Sequence, residues 1–437
     1  MDLCVLNIED NSIKVLIKGV MGSFYPSPDD KFIYVHSGSG VSKINTSTGK
    51  KESIPFSGEF EYKPAKEREY IFSHIWKQVD EKFYDPEIHG IDWEGYRETY
   101  AKFLPHIDNN FDFQEMLSEM LGELNGSHTG ARYSYRSGYT MGTLGAFYDS
   151  DYKGDGLKIK EIIKGGALYL QHPEVKAGDM ITAINGEEIK AGEDWSHMLR
   201  GKGGKKTVIT VKAKGKKEQE LFIEPGFTDY RQLYNRWVEQ RAQMVKEMSG
   251  GRIGYVHVEG MDSESFRRVY SDLLGKYRTC EAVIVDTRHN GGGWLHDDLA
   301  TLLAGQAYIR FEPRGQYIGT EPYSKWTKPS CVLIGEDNYS DASGFPYVYK
   351  TLGIGKLIGA PVPGTMTAVW WETQIDPSIV FGIPQVGAIG TKEGRYLENM
   401  QVEPDILIYN DPASVLRGED KQLEAAVKEM LKTIDNK

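Results

Sequence analysis

Three short segments carry residues that could perform acyl transfer. In NYSDASGFPYVYK, residues 338–350, Ser340 follows an apolar run and precedes a helix-compatible stretch. A strand-to-helix turn can expose a hydroxyl and aim backbone N–H groups at a developing oxyanion. Taken locally the residues suit a plain helix start better than a nucleophile turn, because Ser and Asp are preferred N-caps, and the G-x-S-x-G form is absent. In DTRHNGGGW, residues 286–294, three glycines permit close backbone approach. No lysine follows to make a phosphate loop, which leaves a flexible turn or an oxyanion-hole loop. In NGSHTG, residues 125–130, His128 is either a turn histidine or a general base, the usual role for His near neutral pH. His289 and His296, closer to the glycine loop, are rivals for that role.

Such groups need a frame. From residue 252 onward, near-continuously apolar strands such as AVIVD alternate with helical segments, the pattern of a buried, largely parallel sheet. Ligands of such sheets sit beyond the C-terminal strand ends, where both the glycine loop and the Ser340 segment fall. Residues 61–135 read as helical, with Phe72, Ile75, Val79 and Phe83, then Phe113, Met116, Met120 and Leu124, at helical spacing. Residues 140–225 return to strands, with an Asn185-Gly186 turn and a short helix in DWSHMLRG. The phrase AGDMITAINGEEI resembles the core of a PDZ domain, a module that adds an extended peptide to a sheet edge. Residues 1–60 read as short strands. CVLNIEDNSIKVLI and VSKINTSTGKKESI are alike at an offset of about 36 residues, close to a propeller blade of about 40, and this segment is expected to be a propeller remnant of a longer protein.

A chain of 437 residues implies several domains. The net charge of −11 argues against nucleic acid or an anionic membrane as the main partner. Cys4, Cys280 and Cys331 form neither a disulfide framework nor a zinc motif. No apolar run approaches the ~20 residues of a membrane helix. No signal peptide is visible, and cytoplasm and periplasm both stay open.

In their order, these segments resemble the tricorn protease and its relatives, within the wider family of C-terminal processing peptidases. The likeness runs from PFSGEFEYKPAKEREYIFSHIWKQVDEKFYDPEIHGIDW through the Ser-His pair, the PDZ-like domain, GRIGYVHVEGM and VIVDTRHNGGG to YLENMQVEPDI. It implies a multidomain α/β fold: partial β-propeller blades over 1–60, a helical subdomain over 61–135, a PDZ-like β domain over 140–225 and a crotonase/ClpP-like α/β peptidase core over 226–437. By position, it implies Ser340 as nucleophile, His128 as base, Ser127 and Glu398 as its supports, and an oxyanion hole of the Asp341 amide with Gly291, or Gly292 close behind. It implies peptide substrates, a homo-oligomer, and no metal or other cofactor. Relatives commonly show Ser-Asp-Gly-Asp where this chain has Ser340-Asp341-Ala342-Ser343, which makes Ser343 a second candidate nucleophile. The processing-peptidase branch activates its serine with a lysine; GAPVPGTMTAVW, with Thr365 and Met366 in that stretch, has none, which favours His128. The rival reading is a non-catalytic peptide- or ligand-binding protein on the same fold.

Overall fold

Apolar side chains on both faces of a strand force a sheet to be covered twice, and the centre of this protein is built that way. The computed structural model describes residues 2–38, 40–59, 61–135 and 138–436. Met1, Ser39 and Phe60, within the predicted N-terminal β segment, and Lys437, at the end of the predicted peptidase core, lie outside the described residues. Two compact units are present, residues 1–64 and residues 65–437.

The first unit holds an antiparallel hairpin, β1 (Leu3–Leu6) and β2 (Ile13–Ile17), and a four-stranded antiparallel sheet. The sheet runs in order through β3 (Ser23–Pro26), β4 (Phe32–Ser37), β5 (Gly40–Asn45) and β6 (Lys51–Ile54). Val20, Val35 and Ile44 form its small core.

The second unit opens with three helices, α1 (Pro64–Lys82), α2 (Trp93–Ala101) and α3 (Asn110–Gly122). Asn109 caps α3 by accepting from the N–H groups of Phe111 and Asp112. The short strand β7 (Gly130–Tyr133) follows. Next come β8 (Ala146–Tyr148), β9 (Leu157–Ile162), α4 (Ala167–Gln171), β10 (Met180–Ile184), β11 (Glu187–Glu188), β12 (Thr207–Lys212) and β13 (Gln219–Ile223). They form one antiparallel sheet, β13-β12-β10-β9-β8, with β11 on β10. Asn185 (φ 51°) and Gly186 (φ 80°) turn the β10–β11 hairpin with both central residues left-handed, as a type I′ turn requires. The segment expected to be a short helix in DWSHMLRG closes only one 3₁₀ turn, Ser196–Leu199.

The remainder alternates strand and helix: α5 (Tyr230–Ser249), β14 (Ile253–His257), α6 (Ser263–Ser271), β15 (Ala282–Asp286), α7 (His296–Leu303), β16 (Ile309–Phe311), β17 (Gly319–Glu321), β18 (Ser330–Ile334), α8 (Asp341–Thr351), β19 (Lys356–Gly359), β20 (Thr367–Thr373), β21 (Ile379–Gly387), β22 (Ile406–Leu407), α9 (Pro412–Leu416) and α10 (Lys421–Asp435). The central sheet is all parallel, β14-β15-β18-β19-β22. The period of two divides each strand's residues between two cores. Ala282 and Ile284 meet α5 and α10 through Val245, Leu423 and Val427, whereas Val283 and Val285 meet α6, α7 and α8 through Val269, Leu299 and Phe345.

The helical segment does not close its own core. Phe72, Ile75, Leu117 and Leu121 pack with Ile379, Phe381 and Ile383 of β21, and β7 is the edge strand of a three-stranded sheet, β20-β21-β7. Leu121 and Ile379, 258 positions apart in the chain, thus share one apolar cluster.

A buried ion cluster ties the glycine loop to the last helix. Arg288 bonds Asp286 in bidentate fashion (Nε–Oδ1 2.9 Å, Nη2–Oδ2 2.6 Å), and its Nη1 reaches Asp420 Oδ1 and Gln422 Oε1, both at 2.9 Å. Asp420 is also the N-cap of α10. Burial alone would push the Asp286 carboxyl up, but the Arg288 guanidinium outweighs it and holds the carboxyl at about 2. Its contribution to stability is therefore complete above the ordinary aspartate value and is lost as pH falls toward 2. Replacing Arg288 by Met leaves the buried Asp286 without its cationic partner, while Asp420 keeps Arg241 (Nε–Oδ2 3.2 Å), and is expected to cost about 3–5 kcal/mol, measured as a fall in the denaturation midpoint at pH 7.

Candidate active site

Ser340 stands between β18 and α8 with φ 56° and ψ −126°, a backbone region that non-glycine residues avoid. It occupies the N-cap position of α8, yet its hydroxyl makes no cap hydrogen bond. Several contacts hold this turn. The Ser340 N–H donates to Thr365 Oγ1 (2.8 Å), and the Tyr339 N–H donates to the Asn290 carbonyl (3.0 Å). Pro346 lies inside α8 and brings no N–H, so Ala342, four residues earlier, lacks a helical donor. Asn338 Nδ2 supplies one to the Ala342 carbonyl at 3.1 Å and another to Thr287 Oγ1 at 2.8 Å.

The glycine loop packs against this turn. Gly292 has φ 102°, and a Cβ built on it would lie 2.5 Å from Ser340 Cβ and 2.7 Å from the Tyr339 carbonyl oxygen. Only glycine permits that approach. The Gly292 N–H donates to Asn290 Oδ1 (2.9 Å) and its carbonyl accepts from Met261 N (2.9 Å), so this glycine serves close packing. Among the described residues the Gly291 N–H has no acceptor. The Asp341 N–H at the start of α8 has none either, whereas the next three N–H groups donate to the Tyr339 and Ser340 carbonyls. Gly291, Ser340 and Asp341 line one cleft of about 870 Å³.

His128 lines the same cleft, arriving from the other end of the chain. Its Nδ1 lies 2.9 Å from Ser127 Oγ and 3.0 Å from Thr367 Oγ1. Ser127 Oγ donates to Glu398 Oε2 (3.0 Å), and the Ser127 N–H donates to Glu398 Oε1 (2.5 Å). Because the serine proton goes to the carboxylate, the serine lone pair faces Nδ1, which favours the Nδ1–H tautomer and leaves Nε2 as the basic nitrogen. Burial lowers the His128 imidazole below its ordinary 6.5. Burial raises the Glu398 carboxyl against the opposing hydrogen bonds from Ser127. Tyr339 links this group to the Ser340 turn: its hydroxyl accepts from the His128 N–H at 2.7 Å. Asn399, next to Glu398, donates from Nδ2 to the Asn125 carbonyl at 2.7 Å, and so clasps the loop that bears Ser127 and His128.

The rivals sit elsewhere. Ser343 is fully buried, with its hydroxyl bound to the Pro363 carbonyl. His289 pairs with Asp337 at 2.5 Å, a bond that raises its imidazole, and His296 is tied to Asp341. Neither histidine lines the cleft. Sequence reasoning missed Thr367, Tyr339 and the cleft wall of Val369, Trp371 and Arg132. Val369 and Trp371 follow Thr367 at the strand period on β20, which places them along one face. Trp371 lies across Gly382, where a Cβ would sit 2.9 Å from the indole, and the Arg132 guanidinium stacks 3.7 Å above the indole ring. Thr365 lies in the GAPVPGTMTAVW stretch, which has no lysine, and its hydroxyl holds the Ser340 amide.

The chain matches the tricorn protease C1 domain over residues 64–122, the tricorn protease PDZ domain over 142–225 and peptidase family S41 over 252–408. It is 27% identical over 374 residues to tricorn protease homolog 1 of Streptomyces coelicolor, covering 83% of this chain and 35% of that protein. It is 26% identical over 289 residues to the tricorn protease of Thermoplasma acidophilum, covering 66% of this chain and 26% of that one. The chain spans less than half the length of the curated relatives it matches. A crystal structure of the tricorn protease shares the fold with a TM-score of 0.86 at 21% identity, over 99% of this chain and 43% of that one. The chain thus carries, in this order, a tricorn protease C1 domain, a tricorn protease PDZ domain and a peptidase family S41 domain, the arrangement in which it resembles the tricorn proteases.

Proposed function

We propose that this protein hydrolyses peptide bonds through a Ser340–His128–Ser127–Glu398 tetrad. The observation that carries the reading is the hydrogen-bond chain from His128 Nδ1 through Ser127 Oγ to Glu398, on the wall of the cleft that Ser340 also lines. Ser340 Oγ attacks the carbonyl carbon of the peptide while His128 Nε2 takes its proton. Ser127 and Glu398 keep the ring in the required tautomer and stabilise the imidazolium. The Asp341 and Gly291 N–H groups receive the oxyanion. Collapse expels the amine, which takes its proton from His128, and water then releases the acyl group by the same steps in reverse. Thr367, at 3.0 Å from Nδ1, is a further acceptor for the same ring proton.

The finer architecture is part of the proposal. The antiparallel sheet β3–β6 has the strand number and order of a propeller blade, and the four divisions 1–60, 61–135, 140–225 and 226–437 with a crotonase/ClpP-like core fit the element order. Peptides are the substrates inferred from the relatives' protease names, and a homo-oligomer is inferred from the family likeness.

Ser340→Ala is expected to abolish turnover of short fluorogenic peptides, with Ser343→Ala retaining it if the protein stays folded. Undiminished activity in Ser340→Ala defeats the assignment, and peptide binding without turnover in the unsubstituted protein leaves the non-catalytic reading. Gly292→Ala is expected to lower kcat/KM by about 100-fold or more, because the new Cβ displaces Ser340; a melting midpoint close to that of the parent separates this from unfolding. The neutral imidazole is the active form. Since burial lowers the His128 value, kcat/KM is expected to rise with pH through an apparent pKa below 6.5. An acidic limb centred above 6.5 contradicts the role given to His128.

A further inference from the structure

We infer that His296 is a positioning residue, which holds Asp341 by its carboxylate so that the Asp341 amide and the glycine loop face one oxyanion. The inference rests on the role proposed above for the Asp341 N–H. It begins with a conflict of charge. Asp341 offers an N–H to a developing negative charge, yet it carries a carboxylate of its own, and it is buried. In a site of low dielectric that carboxylate opposes the oxyanion.

The carboxylate is directed into the start of α7. Oδ2 accepts from Leu295 N (2.5 Å) and His296 N (3.0 Å), and Oδ1 is bound by His296 Nδ1. Leu295 and His296 follow Gly291 by only four and five residues. The loop between them is pinned by the Trp294 N–H on the Met261 carbonyl (2.7 Å) and by the Gly293–Met261 bridge. The Asp341–His296 contact therefore couples the two proposed oxyanion donors, one on α8 and one on the glycine loop. As an imidazolium, His296 also neutralises the carboxylate through a charge-assisted bond.

The groups around His296 favour that charged form. The bond to Asp341 is the main influence raising its imidazole; burial opposes, and Asp297 and Asp298 on α7 add to the rise, with the Trp294 ring edge-on at 5.3 Å. The cation therefore persists above pH 6.5 and is lost as pH rises through the raised value. Above it, a neutral ring gives a weaker bond and the Asp341 charge stands uncompensated.

The test is the pH profile of peptide hydrolysis together with an NMR titration of the His296 ring in Ser340→Ala. The expected kcat/KM profile has an alkaline limb at the pKa that NMR gives for His296. His296→Asn retains a side-chain donor; it should remove that limb and lower plateau kcat by about tenfold with little change in KM. Adding Asp341→Asn to His296→Asn should recover part of the loss, because the uncompensated charge is gone. In Ser340→Ala, Asp341→Asn should move the His296 pKa downward. An alkaline limb that persists in His296→Asn, or one that does not coincide with the NMR pKa, overturns the inference. So does a loss confined to KM. Failure of the nucleophile assignment would instead appear as turnover in Ser340→Ala, and the NMR titration reads the His296–Asp341 pair without any turnover. Thermal melts of each variant identify a folding defect; in that event the unsubstituted protein's limb and its NMR pKa still decide.

Discussion

The strained backbone at Ser340 is the constraint from which much of the surrounding structure follows. A serine at φ 56°, ψ −126° is costly by about 1–3 kcal/mol, and it persists only where neighbours over-determine it. Here they do. Thr365 holds its amide, Asn290 holds the preceding amide, and Gly292 fills the space beside its Cβ. Asn338 repairs the helix behind it, where Pro346 removes a donor. The strain frees the hydroxyl from the capping role that its position would otherwise give it.

The groups around that turn come from distant parts of the chain, and polar bonds with apolar packing bring them together. Ser127 and His128 end the helical segment, which completes its core only with β21. Glu398 and Asn399 reach the same loop from a segment 271 and 274 residues further on, through Ser127 and Asn125. Tyr339 spans from the Ser340 turn to the His128 backbone. A shift in any of these segments moves His128 and Ser340 relative to one another. This gives a physical reason for burying Glu398 and for enclosing the Arg288 cluster, since buried, fully bonded polar groups rigidify the elements that bear them.

Much of this was legible in the residues. Apolar runs such as Ala282–Asp286 specify a buried parallel sheet, because each face must be covered. Asn185-Gly186 specifies its hairpin through the left-handed conformations both residues accept. Helical spacing from Phe72 to Leu124 marks an apolar face, but it does not say what covers that face. Thr367 and Trp371 were not legible. A threonine in a strand carries no local signal of contact with a histidine 239 positions away, and Trp371 reaches Arg132 only because Gly382 leaves room. The short helix expected in DWSHMLRG closes a single 3₁₀ turn, since few residues there can repay the cost of nucleating an α-helix.

The sequence by itself determined the element types, the order of the domains and a short set of reactive candidates. These depend on local periodicity, turn chemistry and motif order. Only the tertiary structure gave those candidates their different surroundings. It buried Ser343, paired His289 with Asp337 and His296 with Asp341, spent the Gly292 amide on Asn290, and left Ser340, His128 and the Gly291 amide on one cleft. The reason is that burial, hydrogen-bond partnership and backbone strain are properties of what surrounds a residue in space, and chain spacing does not encode them.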